Sequence, residues 1–216
     1  MENAERFGLV VASSGARHLA KLDVRPSVVV AVDSGLHAVI GKGWLPDCVV
    51  GDMDSVDPDA LAAAEDSGAV IERHAVTKNE SDLELGLMAA KRLGVTDAQV
   101  VARGGGRLDH QFANLVVLAA PHLAPMRVAA TIGDHQVWAV RGTRSLRLPV
   151  GSHLAIHAVG GLARVSTSGV AFPLDCEDLS AFEARGIANA VVEELVRLDV
   201  TSGVVLVVSS PAEPAS

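Results

Sequence analysis

The chain has 216 residues, which corresponds to one or two domains of ordinary size. Its composition is 49% hydrophobic and 20% charged, which allows a buried core and excludes an intrinsically disordered chain. The 26 acidic residues exceed the 18 Lys and Arg residues, and the resulting charge of -8 argues against a nucleic-acid-binding surface.

The features that direct a protein to a membrane or out of the cell are not apparent in the sequence. No apolar segment approaches the ~20 residues of a membrane-spanning helix. The start, Met1–Glu5, lacks the basic and apolar regions of a signal peptide. Cys48 and Cys176 form no metal-type pair and are interpreted as reduced thiols. We therefore expect a cytoplasmic protein that binds neither membranes nor nucleic acids.

Residues 1–133 alternate short apolar segments with longer helical ones. The apolar segments are continuous, as expected of strands buried on both faces of a parallel sheet. They are Phe7–Ala12, Val28–Val32, Cys48–Gly51, Ala69–Ile71, Gln99–Ala102 and Arg127–Ile132. This alternation predicts an α/β domain with a mostly parallel, open sheet and helices on both faces.

Helix boundaries are marked between these strands. Asp57-Pro58 supplies an N-cap and a proline in the first turn, and Gly68 marks the end of that helix. Ser81–Glu84 is a capping box, and the helix that it begins is predicted to end at Lys91–Gly94. A further helix is predicted from Asp109 to Ala120, before Pro121.

Residues 134–216 carry β-type patterns separated by Gly and Pro turns, such as Arg141–Thr143 and Thr201–Gly203. The predicted strands are Gln136–Val140, Ser145–Leu148, His153–Val159, Ala163–Ser166, Val191–Leu198 and Val204–Val208. Six short strands in about 80 residues indicate a small all-β domain, either a sandwich or a partial barrel.

Acidic side chains cluster where the strands of the first domain end. In an open α/β sheet, ligands bind outside the carboxyl ends of the strands. Successive strand ends supply five carboxylates and two cations: Asp33, Asp52, Asp54, Asp82, Asp109, Lys78 and Arg107. A single Asp at such a position is often a helix cap. The concentration of charge nevertheless makes this edge the candidate site.

The pair Asp52 and Asp54 carries the strongest chemical signal. Two carboxylates at one strand end repel each other unless a cation or a shared proton intervenes. Mg²⁺ takes oxygen ligands and is commonly held by one or two carboxylates together with substrate phosphates. Gly51, just before the pair, allows the backbone to turn sharply or to approach a ligand closely. The pair is interpreted as a metal site.

The segment Arg103–Asp109 is a candidate phosphate site. Glycine backbone N–H groups can face an anion, and a guanidinium adds a planar fork of donors. Gly35 and Gly41–Gly43 have the wrong spacing for a P-loop, and Gly104–Gly106 does not fit the dinucleotide-binding fingerprint. A phosphate would therefore have to be bound in another way. Seven of the eight histidines show no metal-ligand spacing, and His110 is better placed, next to Asp109.

Several motifs, taken in order, resemble the thiamine pyrophosphokinase (thiamine diphosphokinase) family. The resemblance spans nearly the whole chain. The motifs are Ala31–Gly35, Leu45–Asp47, Gly51–Ser55, Lys78–Leu87, Gly105–Leu115, Thr167–Leu174 and Gly186–Asn189. The resemblance implies an α/β domain followed by a β-sandwich, and transfer of the pyrophosphoryl group of ATP to the hydroxyl of thiamine. The products would be thiamine diphosphate and AMP.

The resemblance also implies roles for individual residues. Residues 1–133 would bind nucleotide and metal, and residues 134–216 would contribute to the thiamine site of a homodimer. Mg²⁺ would be held by Asp52, Asp54 and Asp82. The phosphates would face Lys78 and Arg107, with Ser55 also among the binding candidates. Thiamine would contact Phe172 and Asn189, and Asp33 and Asp109 would support the site. The catalytic residues would be Asp109, Arg107 and the three metal ligands.

Three positions depart from the family pattern, all on the substrate side. Asn79 follows Lys78 where Asp is common, Ala188 replaces a usual Ser, and Phe172 stands where many members have Trp or Tyr. Two alternatives therefore remain: a pyrophosphokinase that acts on another hydroxymethyl heterocycle such as a pterin, and a nucleotide-binding module without turnover.

Overall fold

The structure is a computed structural model and describes residues 5–12, 19, 22 and 25–212. Met1–Ala4, on which the prediction of no signal peptide largely depends, lie outside the described residues. The chain divides into two compact units, Met1–Gly133 and Asp134–Ser216. Both cysteines are free, which confirms the prediction of unpaired thiols. No helix in the described part of the chain is long and apolar enough to cross a membrane.

The first unit is built from alternating strands and helices. Its strands are β1 (Phe7–Ala12), β2 (Val28–Val32), β3 (Cys48–Gly51), β4 (Val70–Arg73), β5 (Asp97–Ala102) and β6 (Arg127–Ile132). Its helices are α1 (Gly35–Gly41), α2 (Pro58–Asp66), α3 (Asp82–Arg92) and α4 (Leu108–Leu118), followed by a 3₁₀ turn at Pro121–Leu123. The mixed α/β class is thus confirmed. The continuous apolar segments became strands because nearly every side chain in β1 and β2 is buried.

The strands of this unit lie in the order β6-β5-β1-β2-β3-β4, and each neighbouring pair is parallel. Successive side chains of a strand point to opposite faces. On one face, Leu9 and Val29 share a buried cluster with Leu36 of α1 and Leu61 of α2. On the other face, a Cβ at Gly86 of α3 would lie 2.5 Å from the Val32 side chain. Helices therefore cover both faces, and α3 can approach closely because position 86 has no side chain.

The predicted helix starts are confirmed by their capping hydrogen bonds. The Asp57 carboxylate accepts from the backbone N–H groups of Asp59 and Ala60 at 2.9 and 3.1 Å. Ser81 Oγ accepts from the Glu84 backbone N–H at 3.2 Å. These bonds satisfy N–H groups that have no partner inside the helix. They also fix where the loops leading out of β3 and β4 must end.

The second unit contains β strands and no helix among its described residues. Its strands are β7 (His135–Arg147), β8 (His153–Ala158), β9 (Leu162–Ser168), β10 (Glu177–Ser180), β11 (Asn189–Ala190) and β12 (Leu195–Ser210). All pairings within the unit are antiparallel. One side of β12 pairs with β7, and its other side pairs first with β9 and then with β8. An all-β unit is observed, and its description as a sandwich stays a prediction.

Two predicted turns in this unit are wrong. Arg141–Thr143 lies inside β7, and Thr201–Gly203 lies inside β12. The glycines allow irregular strands here: Gly142 has φ +70° and Gly203 has φ +77°, and the β12–β7 register shifts between Val200 and Val205. A Cβ at Gly203 would also lie 2.4 Å from the Leu162 carbonyl oxygen. The turn-like residues therefore form bulges in long strands rather than chain reversals.

Candidate active site

Asp33 and Gly51 fit together at the ends of two neighbouring strands. The Asp33 backbone N–H donates to the Val50 carbonyl at 3.0 Å, which holds the end of β2 against β3. A Cβ at Gly51 would lie only 1.7 Å from Oδ1 of Asp33. Gly51 has φ +148° and Asp33 has φ +45°, both in the region that favours glycine. The glycine predicted to allow a close approach therefore accommodates a carboxylate of the chain itself.

The pKa of the Asp33 carboxyl group is affected by burial and by the charges around it. Its Oδ1 is buried and, within the described residues, has no hydrogen-bond partner. Burial raises the pKa of Asp33 to about 6, and the negative charges of Asp82 and Asp52 add to this increase. A hydrogen bond from the Met53 backbone and the charge of Lys78 oppose it. Asp33 is thus within electrostatic range of Asp52, Asp82 and Lys78, three residues that the strand-end argument also placed at this edge.

Asp52 and Asp54 form a tight turn beyond β3. The Asp54 backbone N–H donates to Oδ1 of Asp52 at 3.0 Å, and Met53 between them adopts φ +66°. The pKa of the exposed Asp54 is raised because its carboxyl group shares a hydrogen bond with Asp52 and is repelled by it. Ser55 follows on the exposed side of the turn. The turn thus holds two interacting carboxylates together at a strand end.

Lys78 and Asp82 form an ion pair across the loop that leads into α3. The Lys78 side chain is only 14% exposed, whereas that of Asp82 is 39% exposed. Because a half-buried cation stabilises a nearby carboxylate, Lys78 compensates part of the negative charge of the cluster. The two residues were predicted to serve phosphate and metal separately. In this structure they bind each other.

The glycine-rich loop after β5 ends in a second ion pair. Arg107 donates from Nε and Nη2 to the two carboxylate oxygens of Asp109, at 3.1 and 2.5 Å. This pairing lowers the pKa of Asp109. Gly105 and Gly106 have φ +82° and +89°, and a Cβ at either would meet open space. Glycine therefore shapes the loop, and the exposed guanidinium of Arg107 is paired with Asp109.

The donor set at this edge suits a hard divalent cation. Its groups are carboxylates, and repulsion from neighbouring carboxylates contributes to the raised pKa of Asp33, after burial, and to that of Asp54, after the hydrogen bond to Asp52. Carboxylate oxygens are ligands that such a cation prefers. Among the described residues, however, no three His, Cys, Asp or Glu side chains are arranged to hold a metal ion. The joint ligation of Mg²⁺ by Asp52, Asp54 and Asp82 thus stays a prediction.

Phe172 and Asn189, the predicted thiamine contacts, lie together in the second unit. Asn189 is 6% exposed, and its side-chain amide is hydrogen-bonded to the backbone of Phe172. The Phe172 side chain is 65% exposed. The family resemblance implied that both residues contact the ligand. The hydrogen bonds between them could not be predicted, because they join residues 17 positions apart.

His37 has a role that the sequence did not predict. It lies in α1, and its Nε2 accepts the backbone N–H of Asp57 at 3.1 Å. This bond ties the far end of the loop that carries Asp52 and Asp54 to the neighbouring helix. The spacing of 20 residues between the partners gives no local sequence signal.

Fold and site together define a class of protein: a parallel α/β unit with carboxylates and a lysine at its carboxyl edge, followed by an antiparallel β unit. A family model described as "Thiamin pyrophosphokinase, catalytic domain" matches residues 19–129. The chain belongs to the thiamin pyrophosphokinase family, which confirms the resemblance stated from its motifs.

Individual relatives agree with this membership. The chain is 24% identical over 212 residues to thiamine pyrophosphokinase 1 of Oryza sativa subsp. japonica, covering 93% of the chain and 78% of that protein. The crystal structure of thiamine pyrophosphokinase from Bacillus subtilis has a TM-score of 0.79 at 16% identity, over 97% of this chain and 100% of that one. Thiamin pyrophosphokinase from Candida albicans has a TM-score of 0.68 at 12% identity, over 95% and 89% of the two chains. At these identities, the solved structures show a shared fold.

Proposed function

We propose that this protein transfers the pyrophosphoryl group of ATP to the hydroxyl oxygen of thiamine, giving thiamine diphosphate and AMP. The observation that carries the proposal is the match of the catalytic-domain family model to the segment that holds the acidic edge. That edge gathers Asp33, Asp52, Asp82 and Lys78. A module that only binds a nucleotide has little use for clustered carboxylates that repel each other.

The reaction requires this chain mainly to position the substrates and to neutralise the phosphate charge. Pyrophosphoryl transfer needs an in-line arrangement of the attacking and leaving oxygens, with the phosphate charge neutralised. Lys78 supplies a cation beside the carboxylates, and exchanging its bond to Asp82 for a phosphate oxygen would release that carboxylate. Arg107 offers a planar fork suited to phosphate if it parts from Asp109. Both cations are thus held ready by internal partners.

Mg²⁺ is part of this proposal, held by Asp52, Asp54 and Asp82. These residues would hold the ion, and it would neutralise part of the charge of the triphosphate. Asp33 supports these residues indirectly, because its Oδ1 is buried while its charge adds to the negative potential at the site. Ser55, exposed beside Asp54, is proposed as a further binding residue.

The proposed thiamine contact in the second unit is the ring of Phe172. Thiamine carries a thiazolium cation, and cations are attracted to aromatic faces by about 0.5–2 kcal/mol. The ring is 65% exposed in a single chain and is thus available to a ligand. Family membership favours thiamine over the alternative acceptors that the sequence left open.

We also propose a homodimer, in which the first unit of one subunit and the second unit of the other contribute to a thiamine site. Helix α4 supports this proposal, because Leu108, Phe112 and Val116 form an exposed apolar stripe at four-residue spacing. The second unit also exposes apolar side chains, including Phe182 at 97%. Sedimentation at micromolar concentration tests the assembly, and a monomer would contradict it. A cytoplasmic location remains the expectation from the sequence.

The reaction is tested by incubating the protein with Mg²⁺, ATP and one acceptor at a time. With thiamine, one AMP should form per acceptor consumed. A hydroxymethylpterin serves as the matched acceptor control and should give no AMP. ADP as the direct product would mean single phosphoryl transfer and would contradict the proposal. AMP with the pterin alone would select the alternative acceptor.

A further inference from the structure

The segment that carries Phe172 is paired with the segment around Asn189. Gly169 accepts from the Val192 N–H at 2.9 Å, and Val170 is bridged to Val191. The Ala171 N–H then donates to the Ala190 carbonyl at 2.9 Å. The two segments thus run as a short antiparallel ladder that leads toward Phe172.

At Phe172 the ladder continues through a side chain instead of a backbone. The Phe172 N–H donates to Oδ1 of Asn189 at 2.9 Å, and Nδ2 of Asn189 donates to the Phe172 carbonyl at 2.7 Å. The side-chain amide therefore satisfies both polar backbone groups of one residue, as a paired peptide would. Ala188, the residue before Asn189, has φ +59°, so its backbone leaves the extended conformation that a strand requires.

The hydrogen-bonding capacity of Asn189 is nearly used up within the chain. Oδ1 accepts from both Phe172 and Ala190, at 2.9 and 3.0 Å, and an amide oxygen has two lone pairs. One of the two Nδ2 hydrogens is bound to the Phe172 carbonyl. The residue is also 6% exposed, whereas the ring of Phe172 is 65% exposed. Asn189 is placed to hold a backbone, and Phe172 is placed to meet a ligand.

We infer that Asn189 is a positioning residue that acts through Phe172: its amide fixes the Phe172 backbone so that the ring forms a rigid platform for the acceptor heterocycle. The identity of that heterocycle rests on the proposed function. The pair of hydrogen bonds by which the Asn189 amide holds the Phe172 backbone, here called the clamp, does not. A flat cationic ring gains most from an aromatic face whose orientation is fixed before binding. Asn189 thereby affects acceptor binding without a direct contact.

Amide hydrogen exchange tests the clamp independently of catalysis. In the parent protein the Phe172 amide should be protected to about the same degree as that of Ala171, because both are bonded in the same ladder. In Asn189→Ala, exchange at Phe172 should accelerate by about tenfold or more. Asn189→Asp keeps the shape but replaces the Nδ2 donor by an oxygen facing the Phe172 carbonyl, so it should accelerate exchange as well. A Phe172 amide that exchanges freely in the parent, or at an unchanged rate in the variants, would overturn the inference.

A double-mutant cycle tests whether the clamp serves the acceptor. Asn189→Asp and Phe172→Ala should each raise the KM for thiamine with a smaller change in kcat, and the double variant should be no worse than Phe172→Ala alone. Multiplying effects would mean that Asn189 contacts thiamine directly, and would overturn the positioning role. If the parent makes no AMP from thiamine, the proposed function fails, while the exchange data still decide the clamp.

Thr167→Val provides the matched control. Thr167 is also a buried polar residue of the second unit, 8% exposed, and its Oγ1 accepts the Leu174 N–H at 2.9 Å. This variant should accelerate exchange at Leu174 and leave both the Phe172 amide and the thiamine KM unchanged. A rise in KM equal to that of Asn189→Asp would show a general effect of destabilising the unit and would overturn the specific role of the clamp.

Discussion

Replacing Gly51 by Ala should damage both stability and activity, because this position makes room for Asp33. The new Cβ would lie 1.7 Å from Oδ1 and 2.4 Å from Cγ of Asp33, well inside contact distance. The carboxyl group would have to move, although its Oδ1 is buried and a hydrogen bond to Val50 fixes its backbone. The displaced group would also disturb the charge balance with Asp52 and Asp82.

The expected cost has two parts. A side chain at φ +148° is strained by about 1–3 kcal/mol. Forcing extra volume into a packed site costs a further ~1–3 kcal/mol. Gly51→Ala should therefore lower the free energy of unfolding by about 2–6 kcal/mol. Urea denaturation measures this loss, and AMP formation from ATP and thiamine should fall with it.

Gly41→Ala is the matched control, since it is the same substitution at the end of α1. Position 41 has no positive φ, and a Cβ there would meet nothing within 4 Å. Its stability should be unchanged or higher by about 0.4–1 kcal/mol. Adding Asp33→Ala to Gly51→Ala should recover the overpacking part of the loss, because the clashing carboxyl group is gone. A Gly51→Ala protein that unfolds and turns over like the parent would refute the reasoning.

Further predictions concern the charged groups. Asp54→Asn should slow turnover by ~10²–10³-fold, because it removes a charge that the transition state needs. Its melting temperature should be unchanged or slightly raised, since the change relieves repulsion with Asp52. A lower melting temperature with parental turnover would show a merely structural carboxylate. The pKa of Asp33 is raised to about 6, so in metal-free buffer the folded protein should lose stability as pH rises from about 4 to above 6. Asp33→Asn should remove this loss, and an equal pH profile in denaturation series of both proteins would contradict it. Arg107→Lys should raise the KM for ATP without changing thermal stability, because its pair with Asp109 is exposed; a large loss of stability would argue against a ligand-facing role.

The parts of the fold that were predictable are those set by local pattern. The apolar segments Phe7–Ala12 and Val28–Val32 match β1 and β2 because complete burial leaves no polar position to blur the boundary. The N-caps at Asp57 and Ser81 were equally local, since a cap bonds to residues two or three positions away. β10 was not predicted, because Glu177–Ser180 contains a single apolar residue and depends on pairing with β9.

The site was predictable in place but not in its internal contacts. The strand-end rule grouped Asp33, Asp52 and Asp82, since parallel strands end at one edge. The fit between Asp33 and Gly51 depends on the register of β2 and β3, which no local pattern encodes. The amide of Asn189 likewise acquires its partner only when two distant segments pair. Sequence patterns thus indicated which residues to examine, while the contacts between those residues depend on tertiary structure.

The long strand β12 has a consequence for how the protein is made. β7, β8 and β9 each pair with it, yet it is synthesised after all three. The last strand of the first unit, β6, ends at Ile132. All strands that pair within that unit have therefore left the ribosome early. Domains generally fold as units during synthesis, at about 5–20 residues per second. The second unit must therefore keep three strand edges unpaired until its last strand emerges, and this interval is when the nascent chain is most exposed to wrong pairing and to chaperones.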